Sequence, residues 1–171
     1  GKLEPEDTGG ADLYVWDDGT LERLTEGNFP TVNGPQGASQ PTEDGSAIWF
    51  RTTGPIGSEG EAGKANYWVW DGELRFARAF GTAQPPYLFW RIENTGEASA
   101  DGSTFVFATN YDFDTGAGLG QRRIFRLDRS GDVQCVSCPS GGSPSSSAAL
   151  GLSLRGFDHA WKPRVSADGR I

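Results

Sequence analysis

The sequence predicts an all-β repeat protein, because two short signatures return at a fixed register. The first is an Asp-Gly turn before an apolar run, at Asp44-Gly45, Asp101-Gly102 and Asp168-Gly169. The second is a short strand-like run that ends in aspartate, at Tyr14–Asp17, Trp68–Asp71 and Phe125–Asp128. The separation from Asp44 to Asp71 equals that from Asp101 to Asp128, 27 residues (71 − 44 and 128 − 101). Fixed spacing of this kind is typical of repeat architectures.

Alternating side chains predict four strands in each repeat. Period-two alternation along 47–52 and 104–109 indicates strands with two distinct faces. The Asp-Gly turn before each run is a hairpin signal, since glycine accepts the positive φ of a tight turn. It predicts preceding strands at Gln36–Thr42, Glu93–Ala100 and Ala160–Ala167. Third strands are predicted at Leu13–Trp16, Tyr67–Trp70 and Arg123–Leu127, and fourth strands at Leu21–Thr25, Leu74–Phe80 and Val133–Val136.

Four antiparallel strands in a unit of about 55 residues form the blade of a β-propeller. The predicted organisation is an acidic lead-in at 1–10 and a propeller segment at 11–171. The segment divides into a half blade at 11–28, whole blades at 29–82 and 83–142, and a loop with the first strand of a further blade at 143–171. Propellers close with about 4–8 blades, so the chain is expected to be a fragment of a larger propeller. As an isolated chain it is expected to form an open arc that is poorly stable or associates.

The repeat motifs look like those of TolB-like, WD-repeat-related propeller blades. Ser99-Ala100-Asp101-Gly102 and Ser166-Ala167-Asp168-Gly169 match the turn motif of that family, and Leu21–Thr25 matches its last strand. Cys135–Gly142 is similar to a stretch in uncharacterised propeller proteins of actinobacteria. The resemblance implies a scaffold for protein interaction with little specific chemistry of its own.

Composition excludes several classes of partner. A net charge of −8 and a pI near 4.6 argue against nucleic acid, because a phosphate backbone requires a basic surface. No apolar run approaches the ~20 residues of a membrane helix, so no membrane insertion is expected. The chain shows no signal peptide, and its lack of methionine favours a processed or excised chain. The remaining blades of the full-length protein are the expected partners of the terminal strands.

Cys135 and Cys138 are the only cysteines, and their Cys-x-x-Cys spacing leaves four alternatives open. A local disulfide at the end of the outer strand is favoured, and it would place the protein outside the cytoplasm or in the cell envelope. Two unpaired thiols are the next alternative. A redox pair requires a helix N-terminus, and structural zinc requires two further ligands.

Two further motifs contain residue types that occur in functional sites. Asp112 and Asp114, in Asn110–Gly116, resemble the start of a calcium loop, although the later glutamate of an EF-hand is missing. Asp158 and His159 do not predict a catalytic triad, since adjacent residues on an extended chain point to opposite faces. No cofactor other than calcium is suggested.

The long predicted loops all lie on one face of the repeat. They are Thr53–Asn66, Thr82–Ile92, Asn110–Arg122 and Pro139–His159. Tyr87, Phe89 and Trp90 on one of these loops either pack between blades or stack on a ligand. Because binding sites favour loops on a rigid scaffold, the sequence predicts a non-catalytic scaffold for a protein or small ligand. The alternative is the propeller portion of a larger enzyme, either a domain that gates a hydrolase or peptidase or a carbohydrate-acting propeller.

Overall fold

Ten β-strands make up the part of the chain that the computed structural model describes, which is residues 12–25, 40–52, 54–80, 96–111 and 118–138. The strands are β1 (Tyr14–Asp17), β2 (Thr20–Arg23), β3 (Gln40–Pro41), β4 (Ile48–Thr52), β5 (Ala65–Trp70), β6 (Leu74–Phe80), β7 (Glu97–Ala98), β8 (Thr104–Tyr111), β9 (Gly118–Asp128) and β10 (Val133–Cys135). No helix occurs within the described ranges. The prediction of an all-β protein is therefore confirmed for these residues.

The strands form three antiparallel sheets, each built from consecutive strands. The first is the β1–β2 hairpin, the second is a meander in the order β3-β4-β5-β6, and the third is a meander in the order β7-β8-β9-β10. We refer to them as sheets 1, 2 and 3. Sheets 2 and 3 thus have the same number of strands and the same connectivity, as the repeated signatures predicted.

Strand positions agree with the sequence in the centre of each sheet and differ at the ends. β6 has the predicted bounds, Leu74–Phe80. Within the described residues β3 covers Gln40–Pro41 at the edge of sheet 2. A proline is tolerated at such an edge, because it cannot donate to a ladder. β9 begins at Gly118, five residues before its predicted start at Arg123, because its backbone pairs along the whole length of β8. The predicted strand Ala160–Ala167 lies outside the described residues.

Sheet 2 is covered on both faces, which explains why all six residues of β5 are buried. Trp49 and Val69 are a cross-strand pair on the face that packs against sheet 3. Phe50 and Trp68 are the next pair, and they lie on the opposite face against Val15 of the hairpin. Burial of each such large apolar side chain stabilises the fold by about 1.5–3 kcal/mol. The alternation predicted for a strand is therefore present, with both of its faces apolar.

The same repeat positions face the preceding sheet in both meanders. In sheet 2 these positions are Ile48, Phe50, Trp68 and Trp70, which pack toward sheet 1. In sheet 3 the residues 57 positions later (101 − 44) pack toward sheet 2, and they are Phe105, Phe107, Phe125 and Leu127. Stacked and tilted rings continue across the contact, as between Trp49 and Phe105 at 5.8 Å and between Tyr67 and Phe107 at 5.1 Å. One mode of sheet-to-sheet packing is thus used twice.

Candidate functional site

The Asp-Gly turns of sheets 2 and 3 are built from the same hydrogen bonds. In sheet 2, Oδ1 of Asp44 accepts from the hydroxyl of Thr42 at 2.7 Å and from the backbone N–H of Ser46 at 3.0 Å. In sheet 3, Oδ1 of Asp101 accepts from the hydroxyl of Ser99 at 2.6 Å and from the backbone N–H of Ser103 at 2.9 Å. The aspartate of the repeat signature is therefore a structural acceptor that closes its own turn.

These hydrogen bonds hold the carboxylates in their charged form. The backbone N–H and hydroxyl of Ser46, together with Thr42, lower the pKa of Asp44 from 3.8 to about 2. Ser99 and then Ser103 lower the pKa of Asp101 in the same way. At Asp128, partial burial raises the pKa, but hydrogen bonds led by Ser130 outweigh it and the net shift is downward. The aspartates at the turns are thus not suited to act as acids near neutral pH.

We expect the turn carboxylates to make stability fall in acid. A depressed folded-state pKa contributes stability above the unfolded value of 3.8, and this contribution is lost as pH falls toward the folded value of about 2 at Asp44. The double variant Asp44→Asn/Asp101→Asn should therefore show a smaller loss of stability between about pH 4 and pH 2 than the wild type. Urea denaturation followed by circular dichroism at each pH measures this.

The control for this experiment is Glu43→Gln, which removes the same charge at the exposed position next to Asp44. It should keep the steep acid dependence of the wild type. An unchanged acid dependence in the double variant would contradict the assignment of the effect to the turns.

The tight turns of sheets 2 and 3 are joined to one another. The carbonyl oxygen of Gly102 accepts from Nε1 of Trp49 at 2.9 Å and from Nε of Arg129 at 3.0 Å. The same Arg129 forms an ion pair with Asp71 at 2.6 Å, so it joins turns of both sheets. Nη1 of Arg78 donates to the carbonyl oxygen of Gly131 at 3.0 Å and adds a further link. All four tight turns of the two meanders therefore lie at one end of the sheet pair, which we call the turn end.

The β4–β5 and β8–β9 connections leave from the opposite end, which we call the loop end. The predicted long loop Asn110–Arg122 is shortened, because β8 runs to Tyr111 and β9 begins at Gly118. The ladder of β4 with β5 closes there at Thr52 and Asn66, and that of β8 with β9 closes at Tyr111 and Gly118. This follows from the antiparallel order, because each strand returns the chain to the end from which the previous strand started. Among the described residues, the connection at the loop end is the β4–β5 loop at 54–64.

The loop at 54–64 is held in one conformation by the buried side chain of Asn66. Oδ1 of Asn66 accepts from the backbone N–H of Glu61 at 2.7 Å, and its Nδ2 donates to the carbonyl oxygens of Glu61 and Lys64. Gly60 has a φ of +95°, and a Cβ there would lie 3.1 Å from the ring of Trp68. Because the side chain of Asn66 holds the loop backbone, the exposed residues of the loop, such as Ser58 and Glu59, have a fixed backbone conformation.

The structure brings the two cysteines together as a disulfide. Cys135 and Cys138 are bonded, with their Cα atoms 5.5 Å apart, which is one of the alternatives that the sequence left open. Cys135 also packs against the aromatic cluster between sheets 2 and 3. Nη1 of Arg123 donates to Sγ of Cys138 at 3.3 Å. The two sulfur atoms therefore have different surroundings, one apolar and one beside a cation.

The other candidate residues from the sequence lie outside the described residues. These are the aromatic residues Tyr87, Phe89 and Trp90, the calcium candidates Asp112 and Asp114, and the pair Asp158 and His159. Within the described ranges, no group of three or more His, Cys, Asp or Glu residues is placed to hold a metal ion. The predictions of a ligand-stacking loop and of a calcium loop remain predictions.

Sequence reasoning missed the two residues that organise the ends. Arg129 contacts Asp71 across 58 residues of chain (129 − 71), and no local pattern signals such a pairing. The sequence predicts Asn66 at the end of a loop, whereas it is the first residue of β5 that pairs with β4, and it orders the loop before it. A usable signal for Asn66 was its position at the start of an apolar strand, where a buried amide must satisfy its hydrogen bonds.

No protein-family model matches the chain, and no curated protein or solved structure is similar enough to it to count as a match. Within the described ranges there is also no helix that is long and apolar enough to cross a membrane.

Proposed function

We propose that the chain is part of a TolB-like β-propeller that acts as a non-catalytic scaffold and binds a protein or small ligand at its loop end. The single observation that carries this proposal is the separation of the two ends of the sheet pair. At the turn end, Arg129, Trp49 and Gly102 join the sheets through direct hydrogen bonds. At the loop end, the β4–β5 connection, which is longer than any of the tight turns, extends from the same rigid base. Binding sites on rigid scaffolds favour such an arrangement.

The repeated packing supports the propeller part of the proposal. Each meander presents the same repeat positions to the sheet before it, so one mode of packing joins each sheet to its predecessor. Radial repetition of four-stranded meanders is how propeller blades are arranged. The half blade at 11–28 contains sheet 1, which packs on sheet 2 through Val15 and Leu24.

The ordered loop at 54–64 supports the binding part of the proposal. Asn66 holds three backbone groups of this loop, so little conformational entropy would be lost when a partner binds. The exposed Glu59 lies on this loop and forms a short β-bridge with Ile56. By contrast, the turn end carries short turns whose polar groups are used within the fold. We therefore place the binding surface at the loop end.

The disulfide supports a location outside the cytoplasm. Cys135 and Cys138 are bonded in the structure, and such bonds persist mainly in oxidising compartments. The net charge of −8 favours partners that are not polyanions, because like charges repel during association. We therefore propose an extracellular or cell-envelope scaffold whose partner is a protein or a small ligand.

Site-specific photo-crosslinking tests the proposal. A photoreactive amino acid is placed at Glu59 at the loop end, and in a second protein at Glu73 at the turn end, which is also exposed. Both proteins are expressed in the native host and irradiated in intact cells. We expect one discrete, reproducible adduct from the Glu59 position and none from the Glu73 position.

Adducts at the Glu73 position alone, or equal adducts at both positions, would overturn the choice of the loop end. Circular dichroism of the purified proteins serves as the folding check. Both positions have exposed side chains, so neither replacement removes a buried contact.

A further inference from the structure

Arg123 gives the two cysteines different environments, and we expect this difference to persist after the disulfide is reduced. The guanidinium Nη1 of Arg123 lies 3.3 Å from Sγ of Cys138. Cys135 lies opposite Phe125 in the β9–β10 ladder and packs against the aromatic cluster. A neighbouring cation favours a thiolate, whereas apolar packing favours the neutral thiol. On reduction, the negative charge is therefore expected to develop at Cys138.

The chain around Cys138 is held by contacts that do not depend on the disulfide. The backbone N–H of Val136 donates to the carbonyl oxygen of Ile124 at 2.9 Å. The backbone N–H of Ile124 in turn donates to the hydroxyl of Ser137 at 2.9 Å. These two bonds continue the pairing beyond the end of β10, so we expect Cys138 to remain near Arg123 after reduction. Neither cysteine is fully buried, so both are accessible to a small reagent.

We propose that Cys138 is a thiol-modification site that forms mixed disulfides with low-molecular-weight disulfides, and that Cys135 is the resolving thiol. This role goes beyond the scaffold function and rests on a different part of the chain. It also differs from a thioredoxin-type pair, because the charge beside the thiolate comes from a side chain on a neighbouring strand.

The chemistry balances with a thiol and a disulfide as co-reactants. A dithiol first reduces the Cys135–Cys138 bond and is itself oxidised to a disulfide, leaving two protein thiols. The Cys138 thiolate then attacks one sulfur of a small disulfide such as glutathione disulfide, whose S–S bond breaks and releases one glutathione thiolate. Next, the Cys135 thiol loses its proton to solvent, and its sulfur attacks Sγ of Cys138. The second glutathione thiolate leaves, and the internal disulfide is restored.

Single-cysteine variants test the proposal. Cys135→Ser leaves only Cys138, and Cys138→Ser leaves only Cys135. We expect Cys138 to be alkylated by iodoacetamide about tenfold faster than Cys135 at pH 7, with a rate midpoint at lower pH. With glutathione disulfide, the Cys135→Ser protein should gain the mass of one glutathionyl group, whereas the Cys138→Ser protein should react slowly.

Arginine variants distinguish an effect of the Arg123 charge on the reactivity of Cys138 from a general structural effect of the substitution. In the Cys135→Ser background, Arg123→Gln should remove most of the rate difference and raise the rate midpoint. Arg126→Gln is the matched control, since Arg126 lies on the same strand and on the opposite face from Phe125. It should leave the alkylation rate of Cys138 unchanged.

Equal rates at the two cysteines, or no effect of Arg123→Gln, would overturn the proposal. If a variant fails to fold by circular dichroism, the reduced wild-type protein is labelled with limiting iodoacetamide and its peptides are analysed by mass spectrometry. Preferential label on Cys138 supports the proposal, and equal or reversed labelling overturns it.

Discussion

Replacement of Trp49 by alanine is expected to destabilise the protein by about 3–5 kcal/mol, the range for large aromatic side chains in a core. Trp49 is 0% exposed, stacks on Phe105 at 5.8 Å and donates to the carbonyl oxygen of Gly102. The substitution leaves a cavity between sheets 2 and 3 and removes one of the hydrogen bonds that join them. Urea denaturation followed by circular dichroism gives the change in the free energy of unfolding.

Trp16→Ala is the matched control for this experiment. Trp16 is 69% exposed on the outer face of the β1–β2 hairpin, so its loss should change the free energy of unfolding by less than about 0.5 kcal/mol. Similar losses for the two tryptophans would contradict the described contact between sheets 2 and 3. The two variants thus test that contact without relying on tryptophan fluorescence, which both of them alter.

Gly102→Ala is expected to destabilise the protein by about 2–5 kcal/mol. Gly102 has a φ of +65°, which costs a non-glycine residue about 1–2 kcal/mol. A Cβ at this position would lie 2.5 Å from Cβ of Ala47 and 2.9 Å from Nη2 of Arg129. Overpacking of this kind adds about 1–3 kcal/mol. The same denaturation measurement checks the value.

Gly45→Ala separates the two contributions. Gly45 occupies the same place in the turn of sheet 2 and has a φ of +73°, but a Cβ there would meet nothing within 4 Å. Gly45→Ala should lower the free energy of unfolding by about 1 kcal/mol, through the strained backbone conformation alone. If Gly45→Ala lowers the free energy of unfolding as much as Gly102→Ala does, the result would contradict the close contact between Gly102 of sheet 3 and Ala47 of sheet 2.

Local signals predicted the elements whose structure is determined locally. The Asp44 and Asp101 turns are closed by their own Ser and Thr neighbours, so a short motif contains all the information that they need. The bounds of β6 also agreed, because the tight turn containing Gly72 precedes it and its pairing with β5 continues to Phe80 past a bulge. In the described residues, the all-β class and the two four-stranded meanders follow from such signals.

Features that depend on distant contacts could not be predicted in the same way. The burial of both faces of β5 depends on sheets that lie on either side of it. The ion pair of Arg129 with Asp71 depends on how two sheets meet, and the sequence contains no periodic signal for it. For the site, the disulfide was one of several alternatives allowed by spacing, and the neighbouring Arg123 was not anticipated.

Sheets 2 and 3 each have one face that points away from the preceding sheet. These two faces carry different side chains, although the two sheets have the same backbone connectivity. Trp49 and Val69 of sheet 2 correspond to Val106 and Arg126 of sheet 3, 57 residues later. If the two units exchanged places along the chain, the guanidinium of Arg126 would meet the apolar contact surface of the next unit and lose its hydration. The side chains of these faces therefore encode the order of the units, so permuted or duplicated versions of this chain require redesigned contact residues at each new junction.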